Sequence, residues 1–199
     1  ALSNVQVIFR QAPKVSGGDN HFGSRLVWSR DGTLFIGLGD RFTRKDDAQT
    51  LDNHMGKVVR IEADGKVPVD NPFAQRTGAR AEIWSYGHRN IQGAALHPTS
   101  GELWTVEHGP QGGDELNVPA AGANHGWPVI TYGRNYGIGT KIGDGTERAD
   151  VAAPLRYWIP SIAPSGMAFL TSDRYQSWKG NLFVGALAGR VARGARRGQ

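Results

Sequence analysis

Four groups of side chains in this sequence could do chemistry. They are His21, the pair Arg89-Asn90, the stretch 107–117, and the tyrosines from Tyr132 to Tyr136. His21 sits in a glycine-rich loop, Ser16-Gly-Gly-Asp-Asn-His-Phe-Gly23. An imidazole titrates near neutrality, so it could act as a general base. A loop histidine that only fastens a turn is the plainer alternative. Arg89 carries a planar fork that suits a flat anionic ligand, and a surface ion pair would use it equally well. The stretch Glu107-His-Gly-Pro-Gln-Gly-Gly-Asp-Glu-Leu-Asn117 holds carboxylates at Glu107, Asp114 and Glu115. Gly109-Pro110 and Gly112-Gly113 keep strand and helix from running through it, so it reads as a loop leaving a strand end. Hard oxygen donors around a rigid turn suit Ca²⁺, though a polar surface turn has the same composition. His88, His108 and His125 do not match the spacing of a zinc site. Gly37-Leu-Gly39 lacks the third glycine of a dinucleotide loop, and Gly-x-Ser-x-Gly does not occur.

The elements that must hold these groups read as short strands. Leu34-Phe-Ile-Gly-Leu-Gly39, ending at Asp40, follows a strand from Ser24 across an Asp31-Gly32 turn. Lys57-Val-Val-Arg-Ile-Glu62 and Lys66-Val-Pro68 flank Asp64-Gly65 as a second hairpin, and residues 41–55 read as an excursion. Ala81-Glu-Ile-Trp-Ser-Tyr86 is a strand that runs into the Arg89-Asn90 segment. Ala94–His97 and Glu102–Val106 pair around Pro98-Thr-Ser-Gly101, and Lys179-Gly180 turns into Asn181-Leu-Phe-Val-Gly-Ala186. Trp84, Trp104 and Trp127 read as packing rather than as stacking platforms.

A weak repeat links the hairpins. Leu26-Val-Trp-Ser-Arg-Asp-Gly-Thr-Leu-Phe-Ile-Gly37 resembles Ala95-Leu-His-Pro-Thr-Ser-Gly-Glu-Leu-Trp-Thr-Val106, and Met167–Leu170 with Gly180-Asn-Leu-Phe-Val-Gly185 resembles both. The turn glycines Gly32, Gly101 and Gly180 lie 69 and 79 residues apart. Repeated four-stranded sheets with long loops make that pattern, so the fold expected is all-β, a β-propeller. About three blades fit the chain, while closed propellers have about 4–8. The expectation is an incomplete arc over residues 1–189, with a separate basic tail over 190–199.

Composition narrows the partners. Hydrophobic residues make up 39% and charged residues 21%, which suits one water-soluble domain. Cysteine is absent, which excludes a disulfide scaffold and a thiolate metal site. The net charge of +5 draws on four arginines in 190–199, and without them the balance falls to +1. A nucleic-acid face is therefore not expected. No apolar run reaches membrane-spanning length. The strand-like opening Asn4-Val-Gln-Val-Ile-Phe9 suggests an amino end that is processed or missing.

Five motifs occur together and in order: His21-Phe-Gly-Ser-Arg-Leu26, Ser85-Tyr-Gly-His-Arg-Asn-Ile-Gln-Gly93, the 107–117 stretch, Asn124-His-Gly-Trp-Pro128 and Ala163-Pro-Ser-Gly-Met167. With them the chain resembles the soluble PQQ-dependent aldose sugar dehydrogenases of the glucose/sorbosone dehydrogenase superfamily, over residues 4 to about 190. The resemblance implies a six-bladed propeller with the quinone PQQ above the central channel. It implies that His21 takes the proton of the sugar's anomeric hydroxyl while hydride passes to the quinone, and that Arg89 acts on the reactive quinone oxygens. It implies that Arg89, Asn90, Gln92 and Tyr136 bind the cofactor. The carbonyls of Gly109 and Pro110 would hold its Ca²⁺. Glu115 and the carbonyl of His125, where a tyrosine is usual, would form a further calcium site. An aldose substrate, an external electron acceptor and a periplasmic or secreted location are implied with them.

The sequence departs from the family at its ends. A cofactor-touching glutamine would precede Ala1, a pair of late arginines would follow residue 190, and a lysine found in some relatives is absent near Ala188. Two other classes remain open on the residues themselves. One is a Ca²⁺-dependent propeller lactonase or other hydrolase, which would need no quinone. The other is a propeller that binds carbohydrate without catalysis.

Overall fold

A computed structural model describes residues 3–188. The basic tail, 190–199, lies outside the described residues, and Ala188, near which some relatives carry a lysine, is the last of them. Among these residues ten strands form two four-stranded sheets and one two-stranded sheet. The first sheet is an antiparallel meander of β1 (Gly23–Trp28), β2 (Leu34–Leu38), β3 (Lys57–Ile61) and β4 (Ile83–Tyr86). The second is β5 (Ile91–Leu96), β6 (Leu103–Glu107), β7 (Asp114–Asn117) and β8 (Arg156–Trp158). The third is β9 (Pro164–Phe169) with β10 (Leu182–Ala186). The first strands of successive sheets lie side by side, β1 against β5 and β5 against β9. This is the radial order of propeller blades, two whole and a third begun.

The three hairpins of the sequence repeat are the first two strands of each sheet. Gly32, Gly101 and Gly180 all sit at their turns with φ between 75° and 86°, a conformation that side chains with a Cβ resist. Alternation along the strands then divides the core. Leu34, Ile36 and Leu38 of β2 join Val59, Ile61, Phe73 and Ile83 on one face of the first sheet. Phe35 faces the other way and meets Val58, Ile91 and Leu103, which seals the first sheet to the second. Trp104, Val106 and Leu116 meet Leu182 and Val184 between the second sheet and the third.

Two sequence expectations change. Lys66-Val-Pro68 forms no strand: the Asp64-Gly65 turn closes with Glu62 N–H to Lys66 O at 2.8 Å, and β3 pairs instead with β4. The proline at 68 lacks the donor that a continuing ladder requires. The stretch 107–117 is also not one loop. Glu107 ends β6, and Asp114–Asn117 is β7, held between β6 and β8. Only 108–113 is loop.

Register fixes where the loops go. Gly23 pairs with Leu38, Lys57 with Tyr86, Ile91 with Glu107, and Asp114 with Trp158. Odd strands therefore start, and even strands end, at one and the same end of the blades. His21, Asp40, Arg89-Asn90 and 108–113 all lie in those connections.

Candidate active site

His21 precedes β1 and Asp40 follows β2, so the hairpin register brings them together. His21 Nδ1 lies 2.6 Å from Asp40 Oδ1. A carboxylate only accepts, so Nδ1 carries the proton and Nε2 keeps its lone pair. Asp40 is fully buried, and its side chain is held from two further directions. Phe42 N–H donates to Oδ1 at 2.8 Å, and the Trp127 indole N–H donates to Oδ2 at 2.7 Å. The loop backbone is tightly set around the pair. Arg41 N–H donates to His21 O at 3.2 Å, and His21, Arg41 and Phe42 have φ of 54°, 57° and 62°. Such left-handed conformations in residues with side chains cluster where surrounding contacts enforce them, often at functional sites.

Arg89 lies in the connection from β4 to β5, and its side chain is buried. Its Nη1 donates to the carbonyls of His108 at 3.0 Å and Gly109 at 2.5 Å. Its guanidinium carbon is 5.2 Å from the Trp127 ring centroid. The Tyr136 hydroxyl is 3.4 Å from Nη2. Arg89 Nε is buried without an acceptor among the described residues. Asn90 Oδ1 accepts from Gly23 N–H at 3.3 Å and from Gln92 Nε2 at 2.9 Å, so Asn90 ties the start of β1 to the second sheet and Gln92 steadies it.

The three carboxylates of 107–117 have different fates. Glu107 accepts from His88 Nδ1 at 2.9 Å, Arg89 N–H at 2.6 Å and Asn117 Nδ2 at 3.0 Å. Burial opposes its charge, but His88 and these hydrogen bonds outweigh burial and hold its carboxyl below the usual range. Asp114 accepts from the backbone N–H groups of Gly109, Ile162 and Ala163 and from the Ser161 hydroxyl. Both thus bracket loops, with their oxygens taken up by donors of the protein itself. Glu115 differs. The residue as a whole is part-buried, it receives Asn117 Nδ2 at 3.1 Å, and withdrawal of its carboxyl from water, with the nearby Glu107 charge, pushes that carboxyl up to about 8. His125 stacks on His88 at 4.6 Å, and both of its ring nitrogens are buried without partners among the described residues. Burial pushes its imidazole down to about 3, so it is neutral. Glu115 and His125 line a cavity of about 430 Å³ together with Ile130, Tyr132 and Arg148. The histidines 88, 108 and 125 do not converge on one point: His108 Nε2 donates to Pro164 O at 2.6 Å, and His88 is spent on Glu107 and Ser85.

Residues with cofactor-binding capacity follow from these contacts. The 108–113 turn crowds carbonyl oxygens: a Cβ on Gly109 would lie 2.2 Å from Gly113 O and 2.3 Å from Gly112 O. That oxygen-rich turn already draws the Arg89 cation, so its donor set fits a hard divalent ion. The unpartnered Arg89 Nε and the Tyr136 hydroxyl fit an oxygen-bearing planar ligand. Sequence reasoning missed Asp40 as the partner of His21, and placed Trp127 among packing residues only. An aspartate closing an apolar strand was the one available sign of the first. Trp127 stands in the Asn124–Pro128 motif, but nothing local revealed its partner, since Asp40 lies 87 residues away in the chain.

The model of the glucose / sorbosone dehydrogenase family matches residues 1–196. The chain is 50% identical over 188 residues to aldose sugar dehydrogenase YliI of Escherichia coli, covering 94% of this chain and 50% of that protein. The crystal structure of the soluble aldose sugar dehydrogenase of E. coli in its apo form superposes with a TM-score of 0.90 at 46% identity, over 98% of this chain and 59% of that one. The PQQ-bound aldose sugar dehydrogenase of Streptomyces coelicolor superposes with a TM-score of 0.70 at 29% identity, over 93% and 48% respectively. The chain thus spans about half the length of the curated relatives it matches.

Proposed function

The chain belongs to the glucose/sorbosone dehydrogenase family, and on that premise we propose that it carries the catalytic segment of a PQQ-dependent aldose dehydrogenase. The reaction is oxidation of the sugar's anomeric C–H/O–H to the lactone. PQQ, when bound, supplies the acceptor for the hydride that leaves the anomeric carbon. His21 Nε2 takes the anomeric hydroxyl proton. Asp40 fixes the reacting tautomer and stabilises the imidazolium that results. Arg89 binds the cofactor's oxygens and draws negative charge toward itself as it develops. Asn90, steadied by Gln92, and Tyr136 complete the cofactor's contacts. The carbonyls of Gly109 and Pro110 would hold Ca²⁺ beside it. Glu115 and the carbonyl of His125 would hold a further Ca²⁺. An external acceptor takes the electrons onward, and the location is periplasmic or secreted.

The observation that carries this reading is a part-buried His21–Asp40 pair joined through Trp127 to Arg89, all at one end of the blades. The PQQ-bound relative supports the choice of quinone. The test is to titrate purified protein with PQQ and Ca²⁺, then add an aldose and a redox dye. Dye reduction that needs both additions, and that a chelator abolishes, is the expected result. Lactone hydrolysis without quinone, or sugar binding with no dye reduction under any loading, would overturn it.

A further inference from the structure

We propose that Trp127 is a positioning residue that locks the proton-accepting pair to the cofactor-binding arginine. The inference rests on the reading of His21 as the base. Trp127 lies in the connection between β7 and β8, yet its ring reaches the first sheet. The indole N–H donates to Asp40 Oδ2 at 2.7 Å. One ring thereby touches the carboxylate that holds His21 and the guanidinium of Arg89, 5.2 Å from its centroid.

Trp127 is itself fixed from several sides. Its backbone N–H donates to Gly87 O at 3.0 Å, and its carbonyl accepts Gln49 Nε2 at 2.7 Å. Its ring packs with Ala48 and Ile142. Gln49 and Ala48 belong to the short 3-10 helix Lys45–Gln49 in the excursion between β2 and β3. Lys57 holds that helix in place, with its ammonium donating to the carbonyls of Asp47 at 2.9 Å, Ala48 at 3.2 Å and Met55 at 2.5 Å. The excursion thus serves as a bracket for Trp127, and Trp127 as a bracket for both reacting groups.

The physical consequence concerns rotation. The terminal torsion of an aspartate is broad and soft. His21 and Phe42 bond Oδ1, while among the described residues the donor to Oδ2 is Trp127. Without it, a buried carboxylate oxygen lacks a partner, and the group turns to find one. The His21 ring then loses the direction that aims Nε2 at the sugar. Losing one hydrogen bond to a buried charged group corresponds to about 10–100-fold in rate if all of it is expressed in the transition state. The face of the ring acts separately, by holding the guanidinium plane for the quinone.

The test separates the edge of the ring from its face. Trp127→Phe keeps an aromatic face under Arg89 and removes the N–H. We expect kcat to fall about 10–100-fold, while the aldose KM and the PQQ Kd stay within about threefold of the parent. In protein without quinone, the low-field ¹H NMR signal of the His21 Nδ1 proton, assigned by its absence in His21→Ala, should broaden or vanish. Trp127→Leu removes the face as well and should also weaken PQQ binding, by about fivefold or more. Parent-like kcat with the low-field signal intact in Trp127→Phe would overturn the proposal. So would a fall in kcat accompanied by an equal rise in PQQ Kd, a lower Tm and an unchanged signal, which is the mark of general loosening. Should Trp127→Phe not fold, hydrogen exchange in the parent decides: a Trp127 indole proton that exchanges as fast as an exposed one sinks the idea. If the parent oxidises no aldose under any loading, it is the functional reading that fails, and the NMR comparison still decides the role of Trp127.

Discussion

Asp40 decides which nitrogen of His21 can act. Because the carboxylate only accepts, the bond at Nδ1 leaves Nε2 as the basic atom. His21→Ala should therefore leave PQQ binding nearly unchanged and lower turnover about 10²–10⁴-fold, the usual range for a general base. Steady-state kinetics and cofactor titration on the same preparation check both halves, and an unchanged kcat would refute the assignment. A second residue-scale prediction comes from Gly39. A Cβ there would lie 2.1 Å from the carbonyl oxygen of His21, backbone against side chain with no room to turn aside. Gly39→Ala must push the His21 segment away from the end of β2, which stretches the bond to Asp40. We expect turnover to fall at least tenfold, and His21 to be unlocked in NMR, with the blades still folded by circular dichroism. Activity equal to the parent would show that the segment can shift freely. At this scale the sequence was legible only in part. His21 and Arg89 stand in recognisable motifs, and the five motifs together carried the family. Asp40 and Trp127 owe their roles to register and to a long loop: an aspartate closing an apolar strand hints at the first, and the Asn124–Pro128 motif marks the second without revealing its partner.

Elements were legible where a turn residue and an apolar alternation coincide. The hairpins at Gly32, Gly101 and Gly180 have both, and each is found in place. β7 has neither, because Asp114 is polar and buried for pairing rather than for transfer from water, and Glu115 beside it is polar and part-buried. Its strand character comes from β6 on one side and β8 on the other. The excursion 41–55 is charged and irregular in sequence, yet it folds back as a support. His54 shows how. Its Nδ1 accepts Ala12 N–H at 2.8 Å, so Nε2 carries the proton and donates to Glu82 Oε1 at 2.6 Å. That bond joins the amino-terminal segment, the excursion and the approach to β4. It is the largest cause holding the Glu82 carboxyl below its ordinary value, with burial working against it. A lowered carboxyl contributes stability that is complete above the unfolded value, about 4.3 for glutamate, and lost as pH falls through the folded one. Melting curves should thus show Tm dropping as pH falls below about 4.3, and Glu82→Gln should flatten that part of the profile. A profile that Glu82→Gln leaves unchanged would place the acid sensitivity elsewhere.

At the scale of the whole molecule, the same period-two alternation that builds the core also leaves two faces open. Val27 of β1 packs toward the second sheet, so Leu26 and Trp28 point the other way and are exposed. At the far side of the arc, Leu182 and Val184 of β10 face the second sheet, while Phe183 faces out beside Trp178 at 5.8 Å. In a propeller each such face packs on the next blade, and relatives about twice as long have the sequence to supply it. Among the described residues both faces are open to water, and the outer edge of β10 has no strand partner. Apolar faces of this kind, with an open strand edge, favour association between copies. We expect the mean mass of the isolated chain, by light scattering, to rise with protein concentration. The double substitution Leu26→Gln with Trp28→Gln should reduce the rise, and so should Phe183→Gln with Trp178→Gln. Combining all four should reduce it most, because the two faces lie at opposite ends of the arc and act independently. Salt should not disperse the assemblies, since apolar contact drives them and screening weakens only charge. A single monomeric mass across the whole concentration range would show that the end faces are covered by other means, and with it the argument from alternation would fail.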